Sequence, residues 1–489
     1  MSETMDQREV RLGKLRAMRE RGTDPFEQTS YARTHPAADL QARFADLEGQ
    51  AVAVAGRLMA LREHGKSGFA DLADESGSVQ LFVRLNNLGE ERFAEFLGLD
   101  LGDIIGVAGT LMKTRSEEIS VEATGFTLLA KALRPLPEKW HGLKDPETRY
   151  RQRYLDLLVN PEARATLAKR SRMVARLRRA LADRGFMEFQ TPILQPIYGG
   201  AAARPFTTHH NALDMTLFMR IAPELYLKRL LVGGFERVFE IGPMFRNEGV
   251  DARHNPEFTM VEAYQAYGDW EDMMALMEGV IVELADEVCG GPRFTYRGHE
   301  IDVTPPFARV KLLEAVRDAA GVDFAALETD EEARAACAGL DLGATEADNW
   351  GALLDKCFDR YVQPELVQPT FVTEYPTRIS PLAKHMPDRP EMTYRFELFM
   401  GTEECGNAFS ELNDPLVQRQ RFEEQVAARA AGDAEAHPFD EDFVTALEHG
   451  MPPAGGMGMG VDRLAMVLLD APNLREVIAF PLLRTRTEE

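Results

Sequence analysis

Three segments of the sequence gather side chains that bind charged ligands. The first, RVFEIGPMFRNEGVDARHNPEFTMVEAYQAY at residues 237–267, carries Arg246, Glu248, Arg253, His254, Asn255, Phe258, Glu262 and Tyr264. A guanidinium donates two parallel hydrogen bonds to a carboxylate or phosphate, and a carboxylate beside a phenol accepts a cation. One such arginine alone would be an ordinary surface ion pair; Arg, Glu, Arg and His together on one hairpin favour an anion site. The second segment, YRFELFMGTEECGNAFSELND at 394–414, places Glu397 and Glu404 on either side of a turn at Gly401, with Asn407, Phe409 and Glu411 following at every second position. Carboxylates near a phosphate site are candidate Mg²⁺ ligands, because Mg²⁺ takes one or two carboxylates plus substrate oxygens. Without partners they would be a solvated acidic edge. The third, PPAGGMGMGVDRLAMVLL at 452–469, alternates Gly456, Gly458 and Gly460 and then sets Arg463 at the head of an apolar helical run. Alternate glycines leave one strand face bare, for close backbone packing or for a flat ligand. The arginine at the strand-to-helix junction favours a nucleotide.

A few elements must align these groups. The first segment reads as two strands around a polar loop, and Phe258, Glu262 and Tyr264 share parity, so they project from one face. Asn407, Phe409 and Glu411 share a face by the same rule. RGFMEFQTPIL (184–194) reads as a helix end capped at Gly185, followed by an extended segment. Residues 50–132 contain five short β-rich runs with the helical insert EERFAEFLGL after the third, the order of an OB-fold, whose strand 2–3 face binds oligonucleotides. Residues 1–22 read as a helix with Leu12, Leu15 and Met18 on one face and basic residues elsewhere, either a solvated arm or one touching phosphates. ALRPLPEKWHGLKDPE, with Pro135, Pro137 and Pro146, reads as a stiff linker. The expected division is a helical arm at 1–45, an OB-fold domain at 46–135, a linker at 136–160 and a larger domain at 161–489. The larger domain mixes hairpins and helices and is mostly helical at about 308–362. The fold class is α+β, multidomain. No Gly-x-x-x-x-Gly-Lys-Ser/Thr loop and no Gly-x-Gly-x-x-Gly between strand and helix occurs, so P-loop and Rossmann sites are not expected.

Composition bounds the function. With 489 residues, 45% hydrophobic and 28% charged, the chain has the make-up of a folded globular protein of two or three domains. It has no apolar run of ~18 residues and no apolar signal core in MSETMDQREV, so a cytoplasmic protein off the membrane is expected. Cys289, Cys337, Cys357 and Cys405 form no Cys-x-x-Cys pair, which leaves neither a zinc ribbon nor a disulfide framework. The net charge of −23 disfavours a nucleic-acid partner unless basic residues are segregated. They are: residues 131–185 hold fifteen Lys and Arg against six Asp and Glu. Salt-bridged surface accounts for much of that excess on the helix expected at 161–184.

FRNE (245–248) with RHNPEF (253–258) resembles motif 2 of the class II aminoacyl-tRNA synthetases, GMGMGVDR (456–463) resembles motif 3, and RGFMEFQTPIL resembles the dimer-forming motif 1. From about residue 50 to the end the chain is similar to the bacterial lysyl members of this class. YGGAAARPFTTHHNALD (198–214), RIAPELYLKRLLVGGFERVFEI (220–241), GNAFSELND (406–414) and TALEHGMPPAGG (445–456) carry that likeness. The resemblance implies an anticodon-binding OB-fold and a catalytic domain built on a six-stranded antiparallel sheet with helices. It also implies a homodimer, ATP and Mg²⁺, and transfer of lysine through lysyl-adenylate to tRNA. Carried over, Arg246 would hold the α-phosphate and the lysine carboxylate, with Arg463 the second catalytic arginine. Glu248, His254, Asn255 and Phe258 would bind ATP, with adenine between Phe258 and Arg463. Gly200 and Glu224 would receive the α-amino group. Glu262, Tyr264 and Glu411 would surround the ε-ammonium, lined by Asn407 and Phe409. Glu397 and Glu404 would hold Mg²⁺, and Phe69, Gln80 and Glu118 would read the anticodon. Two departures are Glu403, a third nearby carboxylate, and Cys405, where an aliphatic residue is usual. A pocket with Glu262 and Glu411 suits a cation and repels aspartate, which favours lysine over the substrates of the related enzymes. A lysine ligase acting on a protein acceptor would lack the barrel. An inactive RNA-binding regulator would lack the motif 2 or motif 3 arginine.

Overall fold

Alternation of buried and half-exposed residues builds the first of two compact units, Met1–Lys144 and Asp145–Glu489, into which the chain divides. The computed structural model describes residues 2–137, 143–430 and 438–485; Glu138–Gly142 of the expected linker lie outside the described residues. In the first unit, helix α1 (Ser2–Glu20) precedes strands β1 (Ala51–His64), β2 (Ser67–Ala73) and β3 (Ser78–Arg84). Helix α2 (Glu90–Leu97) then leads to β4 (Ile104–Lys113) and β5 (Ile119–Ala130). The strands close in the order β1-β2-β3-β5-β4, the five-stranded barrel with a helix after the third strand that the sequence predicts. Leu58, Leu81, Val83, Ile105, Val107, Leu111 and Val121 fill it without exposure, each buried side chain contributing roughly 1.5–3 kcal/mol. Helix α1 is docked rather than free. Leu15 is buried, the Arg11 guanidinium donates to the carbonyls of Leu101, Ala132 and Arg134, and Lys14 pairs with Asp100 at 2.8 Å. Lys131 is buried between Asp100 and Asp103, so these basic groups are spent on the fold.

In the second unit the segment expected to be linker becomes helix from Pro146 onward. Helices α3 (Pro146–Arg151) and α4 (Arg153–Val159) lead directly into α5 (Pro161–Asp183). Pro146 and Pro161 sit at the first helical position, where a missing N–H costs nothing, and Asp145 caps the start by accepting from the Thr148 N–H. Arg153 and Asp156, both fully buried, pair at 2.7 Å and fix α4 to the carbonyls of Ala479 and Ile478.

The sheet that carries the site runs through β6 (Met187–Glu188), β7 (Arg237–Phe245), β8 (Glu257–Ala266), β9 (Ala308–Lys311), β10 (Thr370–Thr373), β11 (Arg395–Met400), β12 (Glu403–Ser410) and β13 (Ala454–Gly460). Its order is β9-β10-β11-β12-β13-β8-β7-β6. The six central strands are antiparallel, and β9 and β6 add parallel edges. Helix α6 (Glu224–Val232) precedes β7, and α7 (Trp270–Cys289) follows β8. Helices α8 (Leu312–Ala320), α9 (Asp330–Cys337) and α10 (Trp350–Tyr361) form the helical stretch, and α11 (Val461–Leu468) follows β13 directly. One sheet face is buried under α5, α7 and α11, through Leu177, Met277, Ile281, Val261, Met457, Met459 and Leu464. The parity that turns those residues to the core turns Glu262, Asn407 and the alternate glycines the other way. Arg176 of α5 and Arg184 at its C-terminal cap pair with Glu283 of α7, and Arg178 with Glu188. Among the described residues no helix is long and apolar enough to cross a membrane.

Candidate active site

The floor of the site is a strand whose cavity face is glycine. β13 runs between β8 and β12, and the register sets Glu262 and Asn407 on either side of Gly458, and Tyr264 and Phe409 on either side of Gly456. A Cβ on Gly456 would lie 2.0 Å from Glu411 Oε1 and 2.5 Å from the Tyr264 ring. Gly200 is held at φ +87°, where a Cβ would meet that of Glu224 at 2.8 Å. Above this floor opens a cavity of about 320 Å³, lined by Arg246, Phe258, Glu262, Glu397, Glu404 and Arg463 among others. A β-bulge pairs Leu398 with Gly406 but Phe399 with Glu404. The extra residue breaks strict alternation and brings Glu404 to the same cavity as Asn407, three positions on.

The walls are strongly charged. The Tyr264 hydroxyl donates to Glu262 at 2.8 Å; burial, with Glu224 close by, pushes the Glu262 carboxyl up to about 8. Burial likewise raises Glu411 to about 8, against the pull of Lys228. The Arg246 guanidinium lies 5.1 Å over the Phe258 ring, and its buried Nε finds no hydrogen-bond partner among the described residues. Arg463, in the first turn of α11, donates to the Glu404 carboxylate and carbonyl, both at 2.8 Å. Burial would raise Glu404, but Arg463 and Arg246 together hold it below the usual carboxylate range. Glu397 accepts from Arg395 at 2.7 Å and from the Tyr375 hydroxyl at 2.8 Å, while burial pushes it up to about 7. Two carboxylates on the cavity wall, one held ionised, are the hard oxygen donors that Mg²⁺ takes alongside phosphate and water. That donor set fits a cation arriving with a polyphosphate.

Such a cavity, with arginines and carboxylates outside and buried carboxylates within, suits a ligand carrying phosphate and amine. The family model "tRNA synthetases class II (D, K and N)" matches residues 145–484, and "OB-fold nucleic acid binding domain" matches 52–129. The chain belongs to the class II tRNA synthetases. Similar curated proteins are lysine–tRNA ligases. That of Moorella thermoacetica is 54% identical over 98% of both chains. That of Syntrophomonas wolfei is 52% identical over 99% of this chain and 98% of its own, and that of Clostridium perfringens 50% over 98% and 96%.

In this synthetase most of the residues singled out from the sequence meet at one place. Gly200, Glu224, Arg246, Glu248, His254, Asn255, Phe258, Glu262, Tyr264, Glu397, Glu404, Asn407, Phe409 and Arg463 all line the cavity. Glu411 does not; it is fully buried against the cavity-side face of Gly456 and against Lys228. Glu403 binds Arg253 at 3.3 Å and Arg297 at 3.0 Å, so the loop arginine rests on a carboxylate. His254 pairs with Asp251 at 2.9 Å.

The sequence reading passed over three groups. Arg395 spans Asn407 and Glu397 at 3.1 and 2.7 Å, and its spacing of two from Glu397 on one strand was the available signal. Asp462 accepts from Arg170 and from the Thr259 N–H at 2.8 Å, tying α5, β8 and α11 together beside Arg463. Lys228 lies four residues from Glu224 on α6, with no exposure. On the barrel, Phe69 stacks on Phe82 with centroids 4.9 Å apart, His64 edges Phe69 at 5.9 Å, and Gln80 accepts from Ser120. Glu118 lies just before β5, whose Ser120 pairs with Gln80. Phe82 and His64 extend the aromatic surface beyond the three residues singled out.

Proposed function

We propose that the protein is a lysine–tRNA ligase that activates L-lysine with ATP and transfers it to the 3′ end of its tRNA. The observation that carries the substrate is the placing of Glu224 and Glu262, both buried, on the wall of a cavity whose remaining wall holds Arg246 and Arg463. An acid substrate would meet repulsion there, and a neutral one would leave buried carboxylates unpaired. Glu224 and Gly200 receive the α-amino group, Glu262, Tyr264 and Glu411 the ε-ammonium, and Asn407 and Phe409 line the stem. Arg246 binds the lysine carboxylate and the α-phosphate together. Its unpartnered Nε is a donor awaiting an acceptor.

Adenylation needs no side-chain nucleophile, because the substrate carboxylate itself attacks the α-phosphorus and pyrophosphate leaves. What the chain contributes is alignment and positive charge where negative charge develops. Phe258 and Arg463 hold the adenine between them, while Glu248, His254 and Asn255 fix the rest of the nucleotide. Glu397 and Glu404 would hold Mg²⁺, which neutralises phosphate charge when bound. On the barrel, Phe69, Gln80 and Glu118 contact anticodon bases, stacking on the ring supplying affinity. Two chains pair through motif 1, where Met187, Ile193 and Leu194 remain 40–50% exposed. Lysine-dependent exchange of pyrophosphate into ATP, without tRNA, tests the assignment. Robust exchange with lysine and little with aspartate or asparagine is expected, and the reverse preference would refute it.

A further inference from the structure

The residue left over by this scheme is Lys228. It has no exposure, and its ammonium touches two carboxylates at once, Glu224 from its own helix and Glu411 just past the end of β12. It also lies 5.4 Å over the ring of Phe409. Burial alone would strip its proton, yet the two carboxylates outweigh that and hold it charged. Glu224 belongs to the α-amino end of the pocket and Glu411 to the ε-ammonium end, so one side chain ties the two ends together. Among the described residues neither oxygen of Glu411 accepts a well-directed hydrogen bond; its hold on Lys228 is an ion contact, which leaves directed acceptors for a second donor.

The charges can be counted. Glu224, Glu262 and Glu411 are three buried carboxylates, and Lys228 is the buried cation that touches two of them. Arg395 is matched by Glu397, and Arg246 by the carboxylate of the incoming amino acid. With lysine bound and these three carboxyls ionised, two formal negative charges remain, and lysine brings two ammonium groups. We propose that Lys228 is a specificity-determining positioning residue: it fixes Glu224 and Glu411 and sets the pocket's charge so that only an amino acid with a second ammonium neutralises it. This rests on the lysine reading given above. Without Lys228 the pocket carries one anion too many, and a buried carboxyl lacking its partner takes up a proton instead. Glu411 then stays a neutral hydrogen-bonding group even when the ligand is bound, and no longer tells an ammonium from a hydroxyl.

The test compares lysine with 6-hydroxynorleucine, which replaces the ε-ammonium by hydroxyl at the same length, in pyrophosphate exchange by the full-length protein. The unmodified protein should prefer lysine by several hundred-fold or more. Failure of that preference would sink the lysine reading itself, before any variant is considered. Lys228→Met should lower kcat/KM for lysine about 100-fold, chiefly through KM. It should leave KM for ATP within about threefold and lose much less with the hydroxy analogue, so that the preference collapses by about tenfold or more. Equal losses with both substrates would mean that Lys228 only holds the fold, and the proposal would fall. Should Lys228→Met not fold, the double variant Lys228→Met/Glu411→Gln, which removes both members of a buried pair, is compared with Glu411→Gln alone. If the two residues act as a unit the double variant keeps the single variant's preference within about threefold; a further large loss overturns the proposal.

Discussion

Glu262 shows how much one buried carboxyl can do. Its folded value of about 8 lies above the ordinary 4.5, so in the empty pocket it holds a proton at neutral pH. An arriving ammonium favours the carboxylate, and lysine binding must release that proton. Calorimetry in buffers of different ionisation enthalpy should therefore record proton release near pH 7 that fades above pH 8, with lysine affinity rising over the same window. No release would remove Glu262 from the ε-ammonium site. Stability runs the other way: the folded chain binds a proton that the unfolded chain has lost, so this group's contribution declines as pH climbs from 4.5 towards 8. Gly456 makes the complementary point by what it lacks. Gly456→Ala drives a methyl into Glu411 and Tyr264, and lysine-dependent exchange should fall by at least about 100-fold, some 2.7 kcal/mol in the barrier. Retention of full exchange would show that the floor can yield. Glu262 and Tyr264 were legible from strand parity alone. Lys228 was not, because an i,i+4 Glu–Lys pair is also the commonest decoration of an exposed helix; only the fold brings Glu411 onto it.

Among the elements, the barrel was the most readable, since five alternating runs and one helical insert leave few topologies. Its aromatic pair on β2 and β3 makes a platform of two rings, not one. Phe69→Ala should reduce tRNA charging by about tenfold or more while sparing pyrophosphate exchange, and Phe82→Ala should do the same more weakly by removing the support beneath Phe69. Equal loss in both assays would exclude a role in tRNA recognition. The bulge in β12 shows where pattern reading fails. Strict alternation would set Glu404 on the face opposite Asn407, and one added residue reverses that without leaving a mark in composition. Pro146 misled for a related reason: Pro stiffens an extended linker and also starts a helix, and the difference lies in Asp145 ahead of it and in the buried Arg153–Asp156 pair behind.

For the whole molecule, the net charge of −23 sorts into work already assigned. Arg11, Lys14 and Lys131 are held by acids and carbonyls of the first unit, and the arginines of α5 by Glu188, Glu283 and Asp462. Segregation of basic residues, visible in the sequence, was therefore a weaker pointer to RNA than the aromatic pair. The exposed apolar side chains of motif 1 are the larger-scale signal. On the proposed pairing, Leu194→Asp should shift sedimentation from dimer towards monomer and lower activity with it, whereas a monomeric wild-type protein would remove the interface from motif 1. One further consequence belongs to the bare strand β13. Because its cavity side is glycine, the side chains that anchor it are Met457 and Met459, both turned into the core. Oxidising a thioether there inserts a polar sulfoxide among Val261, Ile281 and Leu464. The substrate floor is thus exposed to chemical ageing from behind: peroxide that reaches the core should erode lysine recognition without touching any residue the ligand meets.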